Sequence, residues 1–119
     1  YAAQEKTPMT DTRYTPLGSL LIDIECALRR GDFWQTETPP ASALASTEPF
    51  AVDTLDFHQW LQFVFLPRMR ELINARQMLP EQCNITAMAE VVWADETRAL
   101  AVINALRQFD ETINNSSAR

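Results

Sequence analysis

The amino-acid sequence predicts an all-α protein: a small helical bundle of three main helices plus one short helix, with the central helix kinked at Pro67. Three segments carry apolar residues at the spacing of one helix face, and residues that favour helix ends flank them. The chain has 119 residues, of which 46% are apolar and 22% charged, a composition typical of one globular domain. We expect a flexible tail over residues 1–13, the helical-bundle domain over 14–114 and a frayed C-terminus over 115–119.

The first predicted helix covers residues 16–30. Thr15 fits an N-cap, and Pro16 fits the first helical position because proline has no N–H to leave unpaired there. Gly31 is placed to end the helix in a left-handed conformation. The apolar stripe of this helix consists of Leu17, Leu20, Leu21, Ile24, Ala27 and Leu28.

The central helix is predicted over residues 54–75 and is the most apolar part of the chain. Asp53 fits its N-cap, and Val52 with Phe57 fits a hydrophobic staple. Because apolar residues cover most of its circumference, we expect this helix to contact neighbours on several sides. A part that stays exposed would instead be a partner-binding surface.

Pro67 interrupts the pattern of the central helix. Its nitrogen carries no hydrogen for the carbonyl of Phe63, so the helix is expected to kink or break near this point. On a straight helix Arg68 would point along the apolar stripe. Two interpretations of Arg68 remain: a half-buried ion pair with an acid, or a guanidinium that anchors a ligand, since its planar fork binds carboxylate or phosphate through two hydrogen bonds.

The connection over residues 31–52 contains three prolines, which exclude a continuous helix. Its aromatic residues are too apolar for a free linker, so we expect it to lie on the bundle, anchored by Trp34 and Phe50. Long loops in compact domains often carry function. The alternative is that this loop only covers one end of the core.

The C-terminal third is predicted to hold a short helix over residues 87–94 and a last helix that Asp95 caps. The last helix has an apolar stripe of Ala99, Val102, Ile103, Leu106, Phe109 and Ile113. Short connections after residue 76 favour antiparallel neighbours.

A family signature lies in the middle of the chain. It is carried by Ser46-Thr47-Glu48-Pro49-Phe50, Trp60-Leu61-Gln62 and Leu66-Pro67-Arg68-Met69, with Trp34 upstream and Leu79-Pro80 downstream. Over residues 15–113 the chain resembles the YqcC-like family of small bacterial proteins of unknown function. The resemblance implies a compact helical bundle in the cytoplasm and a genomic association with a tRNA pseudouridine synthase. It supplies no catalytic or ligand residues, and Ala51 and Phe65 differ in bulk from their counterparts in relatives.

The charge balance is acidic, with a net charge of −6 and a pI of about 4.6. This argues against direct binding to nucleic acid, because phosphate contact needs clustered Lys and Arg. The sequence lacks the run of about 18 apolar residues that a membrane span needs, and no leader pattern is visible. We therefore expect a cytoplasmic protein, in which Cys26 and Cys83 are free thiols.

Residues that could carry catalysis are sparse. His58 is the one histidine in the sequence, and no metal-ligand spacing or Gly-rich phosphate loop accompanies it. An enzymatic role would require an acid within reach of His58 in a cleft. We expect no enzyme activity, no cofactor and no metal.

The sequence favours a non-enzymatic protein-interaction module with a protein partner, and the resemblance adds tRNA modification as its context. The residues expected to bind are Arg68, Trp34, Phe50, Trp60 and His58. The alternative is a helical domain that binds a small molecule or anion in a pocket between Pro67 and the loop around Phe50, with Arg68 as polar anchor.

Overall fold

The computed structural model describes residues 13–80 and 82–117, with side chains up to residue 114. Its helices are α1 (Tyr14–Arg30), α2 (Ala41–Leu44), α3 (Phe57–Trp60), α4 (Leu66–Asn74), α5 (Ile85–Val92) and α6 (Leu100–Ser117). A π-helical segment, Leu61–Phe65, joins α3 to α4 into one central helix, and 3-10 turns form at Pro49–Ala51 and Thr97–Ala99. The predicted all-α bundle is confirmed. The expected tail lies outside the described residues, apart from Arg13.

The core forms where α1 packs against both α6 and α4 and where α5 packs against α6. Every residue of the two predicted stripes in α1 and the last helix is buried. The most completely buried large side chains are Leu17, Ile24, Leu28, Leu61, Leu66, Val102, Leu106, Phe109 and Ile113. Within the described part of the chain, no helix is both long and apolar enough to cross a membrane.

Helix α1 ends at Arg30, as predicted, but its start and the conformation that follows its end differ from the prediction. The helix begins at Tyr14, so Thr15 is its second residue and does not cap it. At the other end Gly31 has φ −80°, and Asp32 adopts the left-handed conformation with φ 67°. Gly31 is small for a packing reason instead: a Cβ there would lie 2.9 Å from the carbonyl oxygen of Arg98 and 2.8 Å from the Phe33 ring.

The central helix begins at Phe57, so the predicted start near residue 54 is wrong. Asp56 is the N-cap, and Gln59 Oε1 accepts a hydrogen bond from its backbone N–H at 2.8 Å, as in a capping box. Asp53 instead accepts a hydrogen bond from the Ser46 hydroxyl at 2.6 Å. Phe57 is thus the first helical residue rather than the fourth, and the predicted staple does not form.

The irregularity expected at Pro67 lies just before it. In the segment Leu61–Phe65 the backbone turns as a π-helix, and the N–H of Leu66 donates to the carbonyl of Leu61, five residues back. The π segment absorbs the disturbance from the proline, since helices bend where the regular bonding ladder is interrupted. Pro67 itself occupies the second position of α4.

The two C-terminal helices, α5 and α6, are both predicted by the sequence, but their ends differ from the prediction. The short helix α5 begins and ends two residues earlier than predicted. Asp95 does not cap the last helix; the Glu96 side chain accepts from the N–H of Arg98 and opens a 3-10 turn that leads into α6. Helix α6 continues to Ser117, beyond the position where the polar sequence predicts fraying.

Candidate interaction surface

Gln62 fixes the long loop to the central helix. Its side chain is only 7% exposed. Its Oε1 accepts from the backbone N–H of Gln35 at 2.9 Å, and its Nε2 donates to the Gln35 carbonyl at 2.7 Å. Gln59 adds a third bond by donating to the Gln35 side-chain oxygen at 3.1 Å. One buried amide therefore satisfies both backbone groups of a loop residue that would otherwise lose water without compensation.

A second set of hydrogen bonds folds the loop onto itself. The Thr54 hydroxyl donates to the carbonyl of Ala43 at 2.7 Å, so α2 lies beside the residues that precede the central helix. The Ser46 hydroxyl donates to Asp53 and accepts from the backbone N–H of Glu48 at 3.1 Å. Because these bonds join both halves of the loop, residues 41–56 form a defined surface unit.

Phe50 and Trp60 form the apolar anchor of this loop. Their ring centroids lie 4.9 Å apart with an edge-to-face geometry, and Phe50 also contacts the Phe57 ring at 5.9 Å. Phe50 has φ 57°, a left-handed conformation that is strained for a bulky residue. Both rings are partly buried against the core, so their contacts hold the loop on the bundle.

Trp34 is also partly buried, and the Arg29 guanidinium lies 4.5 Å above its ring. This cation–π contact ties the start of the loop to the last turn of α1. Trp93 is buried, with 8% of its surface exposed, so it is not available to a binding surface. It packs against Phe33 at 5.0 Å and Phe57 at 5.1 Å between ring centroids.

His58 lies beside the aromatic cluster rather than in a cleft. Its Nε2 is 3.7 Å from Asp56 Oδ2, and its buried Nδ1 has no hydrogen-bond partner. Asp56 is 80% exposed at its side chain, so water screens the pair. The described residues contain no group of three His, Cys, Asp or Glu side chains that could hold a metal ion.

An open groove lies beside Pro67; we call it the Pro67 groove. It is lined by Leu44, Phe63, Val64, Pro67, Arg68 and Glu71 and has a volume of about 380 Å³. A groove next to Pro67 is predicted, but the loop contributes Leu44 to it rather than Phe50. Of the five residues expected to bind, Arg68 lines the groove, whereas Trp34, Phe50, Trp60 and His58 do not.

Arg68 is exposed at the edge of this groove. Across residues 13–80 and 82–117, no ion pair or hydrogen bond engages its side chain. The half-buried ion pair offered as one interpretation is therefore wrong. The proline and the π segment before it set the direction of α4, and Arg68 points away from the core.

The loop that contributes Leu44 to the groove belongs to an acidic stretch of the chain. Residues 31–67 contain five carboxylates and no Lys or Arg. The five acids are all exposed: Asp32, Glu37, Glu48, Asp53 and Asp56. Three of them, Glu48, Asp53 and Asp56, belong to the folded unit 41–56 that carries Leu44, and Glu71 adds a carboxylate inside the groove. The five carboxylates give this stretch a formal charge of −5, and Arg68 is the one cation among the residues that line the groove.

A second groove, between α1 and α4, has a different character. Its volume is about 430 Å³, and its lining residues are Tyr14, Thr15, Gly18, Ser19, Ile22, Ile73, Asn74 and Arg76. Ile22 is 61% exposed, and no atom lies within 4 Å of the position that a Cβ on Gly18 would occupy. No carboxylate lines this α1–α4 groove.

Polar contacts join the residues just before α5 to the C-terminal part of α6. Asn114 accepts from the backbone N–H of Cys83 and donates to its carbonyl, both at 2.9 Å. Burial, with Asp110 nearby, raises the pKa of the Cys83 thiol to about 12. Both cysteines are free, as predicted, but a thiol with so high a pKa is a poor nucleophile at neutral pH.

Comparison with known proteins identifies the family. A family model described as tRNA pseudouridine synthase C matches residues 17–112. The chain is 33% identical to YqcC of Escherichia coli K12 over 88 residues. This aligned segment covers 73% of this chain and 81% of that protein. The chain belongs to the YqcC-like family. An uncharacterised protein of Haemophilus influenzae is 31% identical over 96 residues, 81% of this chain and 91% of its own length.

A solved structure supports the same assignment. The solution NMR structure of E. coli YqcC matches with a TM-score of 0.78 at 26% identity, covering 88% of this chain and 91% of that one. A further relative is called tRNA pseudouridine synthase C, from Pectobacterium carotovorum. It is 52% identical over 60 residues, half of this chain but only 16% of that protein, which is therefore about three times as long as this chain.

Proposed function

We propose that this chain is a non-enzymatic protein-interaction module that acts with a tRNA pseudouridine synthase. The observation that carries the proposal is the 52% identical segment within a much longer protein that bears the name of that enzyme. A module joined to an enzyme in one polypeptide is held near it at high effective concentration. Such tethering is useful when the module contacts the enzyme. The family model that matches this chain is also described as tRNA pseudouridine synthase C.

The chemistry of the described residues supports a binding role over a catalytic one. His58 has an exposed acid beside it, and neither residue lines the Pro67 groove or the α1–α4 groove. The Pro67 groove offers apolar side chains and one cation, which suit recognition. The net charge of −6 favours contact with the enzyme rather than with its polyanionic tRNA.

Co-purification tests this proposal. The chain is expressed with an affinity tag together with the untagged tRNA pseudouridine synthase of the same organism, and the eluate is analysed by size-exclusion chromatography with light scattering. We expect one peak whose mass equals a complex of the two proteins. Separate elution at protein concentrations well above the micromolar range of transient complexes would contradict the proposal.

The Pro67 groove supports a second candidate function, the binding of a small molecule with Arg68 as its polar anchor. The specific observation is an open, mostly apolar groove with an exposed guanidinium at its edge. Glu71 in the groove repels anions, so an amphipathic monocarboxylic acid, which carries one negative charge and an apolar chain, fits better than the more highly charged phosphate. The test is the change in melting temperature on adding a panel of such acids. An increase that Arg68→Ala abolishes is expected, and no shift with any acid would exclude this candidate.

A further inference from the structure

We infer that the Pro67 groove and the acidic loop beside it form the docking surface, and that a basic, amphipathic segment of the synthase occupies it. This inference rests on the proposed function and adds to it the surface and the chemistry of the partner segment. It follows from three properties of the surface: open apolar residues, a fixed loop and a one-sided charge.

The apolar part comes from two elements that are distant in sequence. Leu44 lies on α2 within the loop, whereas Phe63, Val64 and Pro67 lie on the central helix. The space between these apolar side chains is an open groove that the rest of the described chain does not fill. An amphipathic helix can place its apolar face in such a groove and leave its polar face toward the rim.

The loop that borders the groove is held in place before any partner arrives. Gln62 bonds both backbone groups of Gln35, and Thr54 bonds the carbonyl next to Leu44. The Ser46–Asp53 bond closes the same unit. Ordering a surface on binding costs conformational entropy, so a surface ordered in advance binds more tightly for the same contacts.

Charge identifies the occupant. The stretch 31–67 presents five exposed carboxylates without a Lys or Arg among them. An enzyme that acts on tRNA must carry basic residues that contact phosphate. An acidic surface and a basic partner attract each other over several ångströms, which raises the association rate and excludes acidic competitors.

Arg68 offers the incoming segment a pairing site for one acid. It is the one cation that lines the groove, and Glu71, three residues along the same helix, lines it as well. A segment that is basic along its length but carries one acid can pair that acid with Arg68 through two hydrogen bonds.

Other occupants fit this surface less well. A second copy of the chain would bring a second acidic loop toward the first, with a net charge of −6 on each partner. The tRNA itself would be repelled for the same reason. The α1–α4 groove has similar size but no acidic lining residue, so it serves as an internal control.

Isothermal titration calorimetry with the purified synthase tests the inference. In the groove, Val64→Asp removes apolar contact, and in the loop Glu37→Lys with Glu48→Lys reverses two exposed charges. The control is Ile22→Asp, a matched change at an exposed residue of the α1–α4 groove. We expect the dissociation constant to rise at least about tenfold for Val64→Asp. The loop pair should weaken binding about fivefold or more and flatten its dependence on salt.

The outcomes separate this inference from the proposed function. If the wild-type chain releases no heat with the synthase and does not co-purify with it, the proposed function fails and the inference fails with it. If the wild type binds but only Ile22→Asp weakens binding, the function stands and the docking surface is wrong. Because Glu37 and Glu48 are exposed, the charge variants test the surface even if Val64→Asp unfolds. Unchanged affinity and salt dependence in those variants would overturn the basic partner.

Discussion

Asp110, buried on α6, caps the N-terminal end of α5 by holding Thr86. Its Oδ2 accepts from the backbone N–H of Thr86 at 2.8 Å and from the Thr86 hydroxyl at 2.6 Å. The N-cap residue of α5, Asn84, makes no side-chain capping bond of its own. The negative carboxylate also lies at the positive end of the α5 dipole. The capping group is therefore supplied by the other helix, which fixes the position of α5 on α6.

The first prediction concerns this cross-helix cap. Asp110→Ala removes a charged acceptor that two buried donors share, so we expect the free energy of unfolding to fall by about 2–3 kcal/mol. Thr86→Val removes one donor and should cost about 1–2 kcal/mol. Urea denaturation measures both, and Glu111→Ala, an exposed neighbour of Asp110, is the control. A loss of less than about 0.5 kcal/mol for Asp110→Ala, within the range of ordinary surface changes, would show that the cap has no energetic role.

The second prediction concerns the two thiols. Cys26 is exposed, whereas burial raises the pKa of Cys83 to about 12. Because the thiolate is the reactive form, a thiol reagent at pH 8 should modify Cys26 rapidly and Cys83 only on unfolding. Mass spectrometry of Cys26→Ser and Cys83→Ser assigns the two phases. Equal rates for the two single-cysteine variants would contradict this account.

The raised pKa of Cys83 also gives a pH dependence of stability. Between 9.0 and about 12 the folded chain keeps the proton on Cys83. The unfolded chain releases that proton, so the unfolded state binds fewer protons and the free energy of unfolding falls as the pH rises through this window. Below pH 9 both states are protonated and the contribution is constant. Cys83→Ser should show a shallower decline at alkaline pH than the wild type.

The third prediction compares the two glycines. Nothing lies within 4 Å of a Cβ built on Gly18, whereas one on Gly31 would meet the Arg98 carbonyl. Gly18→Ala should raise the free energy of unfolding by about 0.5–1 kcal/mol because alanine favours the helix. Gly31→Ala should lower it by about 1–3 kcal/mol through overpacking. Thermal denaturation of the pair tests both signs, and a destabilising Gly18→Ala would mean that α1 is not packed as described.

The fourth prediction concerns the attachment of the loop. Gln62→Met keeps the size of the side chain but leaves both backbone groups of Gln35 without their partner, so we expect a loss of about 1–3 kcal/mol. The amides of residues 33–37 should then exchange with deuterium faster, because the loop opens locally. Gln108→Met, at an exposed site, is the matched control. Exchange at wild-type rates in Gln62→Met would show that other contacts hold the loop.

Much of the fold follows from the sequence because helix faces repeat at short range. The stripes of α1 and α6 are local patterns, and each of their residues is buried. The ends of the helices are harder to predict from the sequence. Asp53 and Asp56 both satisfy the local pattern of an N-cap; in the structure Asp56 forms the capping box with Gln59, and Asp53 bonds the Ser46 hydroxyl instead. Likewise Gly31 suits a left-handed helix end, yet its contact with Arg98 depends on a residue 67 positions away.

The candidate site was only partly predictable. Arg68 beside a proline indicates a local conflict, and it does line the groove. Leu44 gave no comparable signal, because it reaches the groove only through the tertiary folding of the loop. Gln62 does carry a signal in the sequence, because a polar residue inside an apolar helical run needs a hydrogen-bond partner when it is buried. That partner, the Gln35 backbone, lies in an irregular loop that periodicity does not describe.

Hydrogen–deuterium exchange of the chain, with and without the purified synthase, shows whether the Pro67 groove and its loop are the docking surface. We expect slower exchange on binding at residues 41–56 and 63–71, which include the groove and the loop unit that carries Leu44. We expect unchanged exchange at residues 14–22 and 73–76, which include the lining of the α1–α4 groove. Protection confined to the α1–α4 groove, or no protection in either region at saturating synthase, would show that the docking surface lies elsewhere.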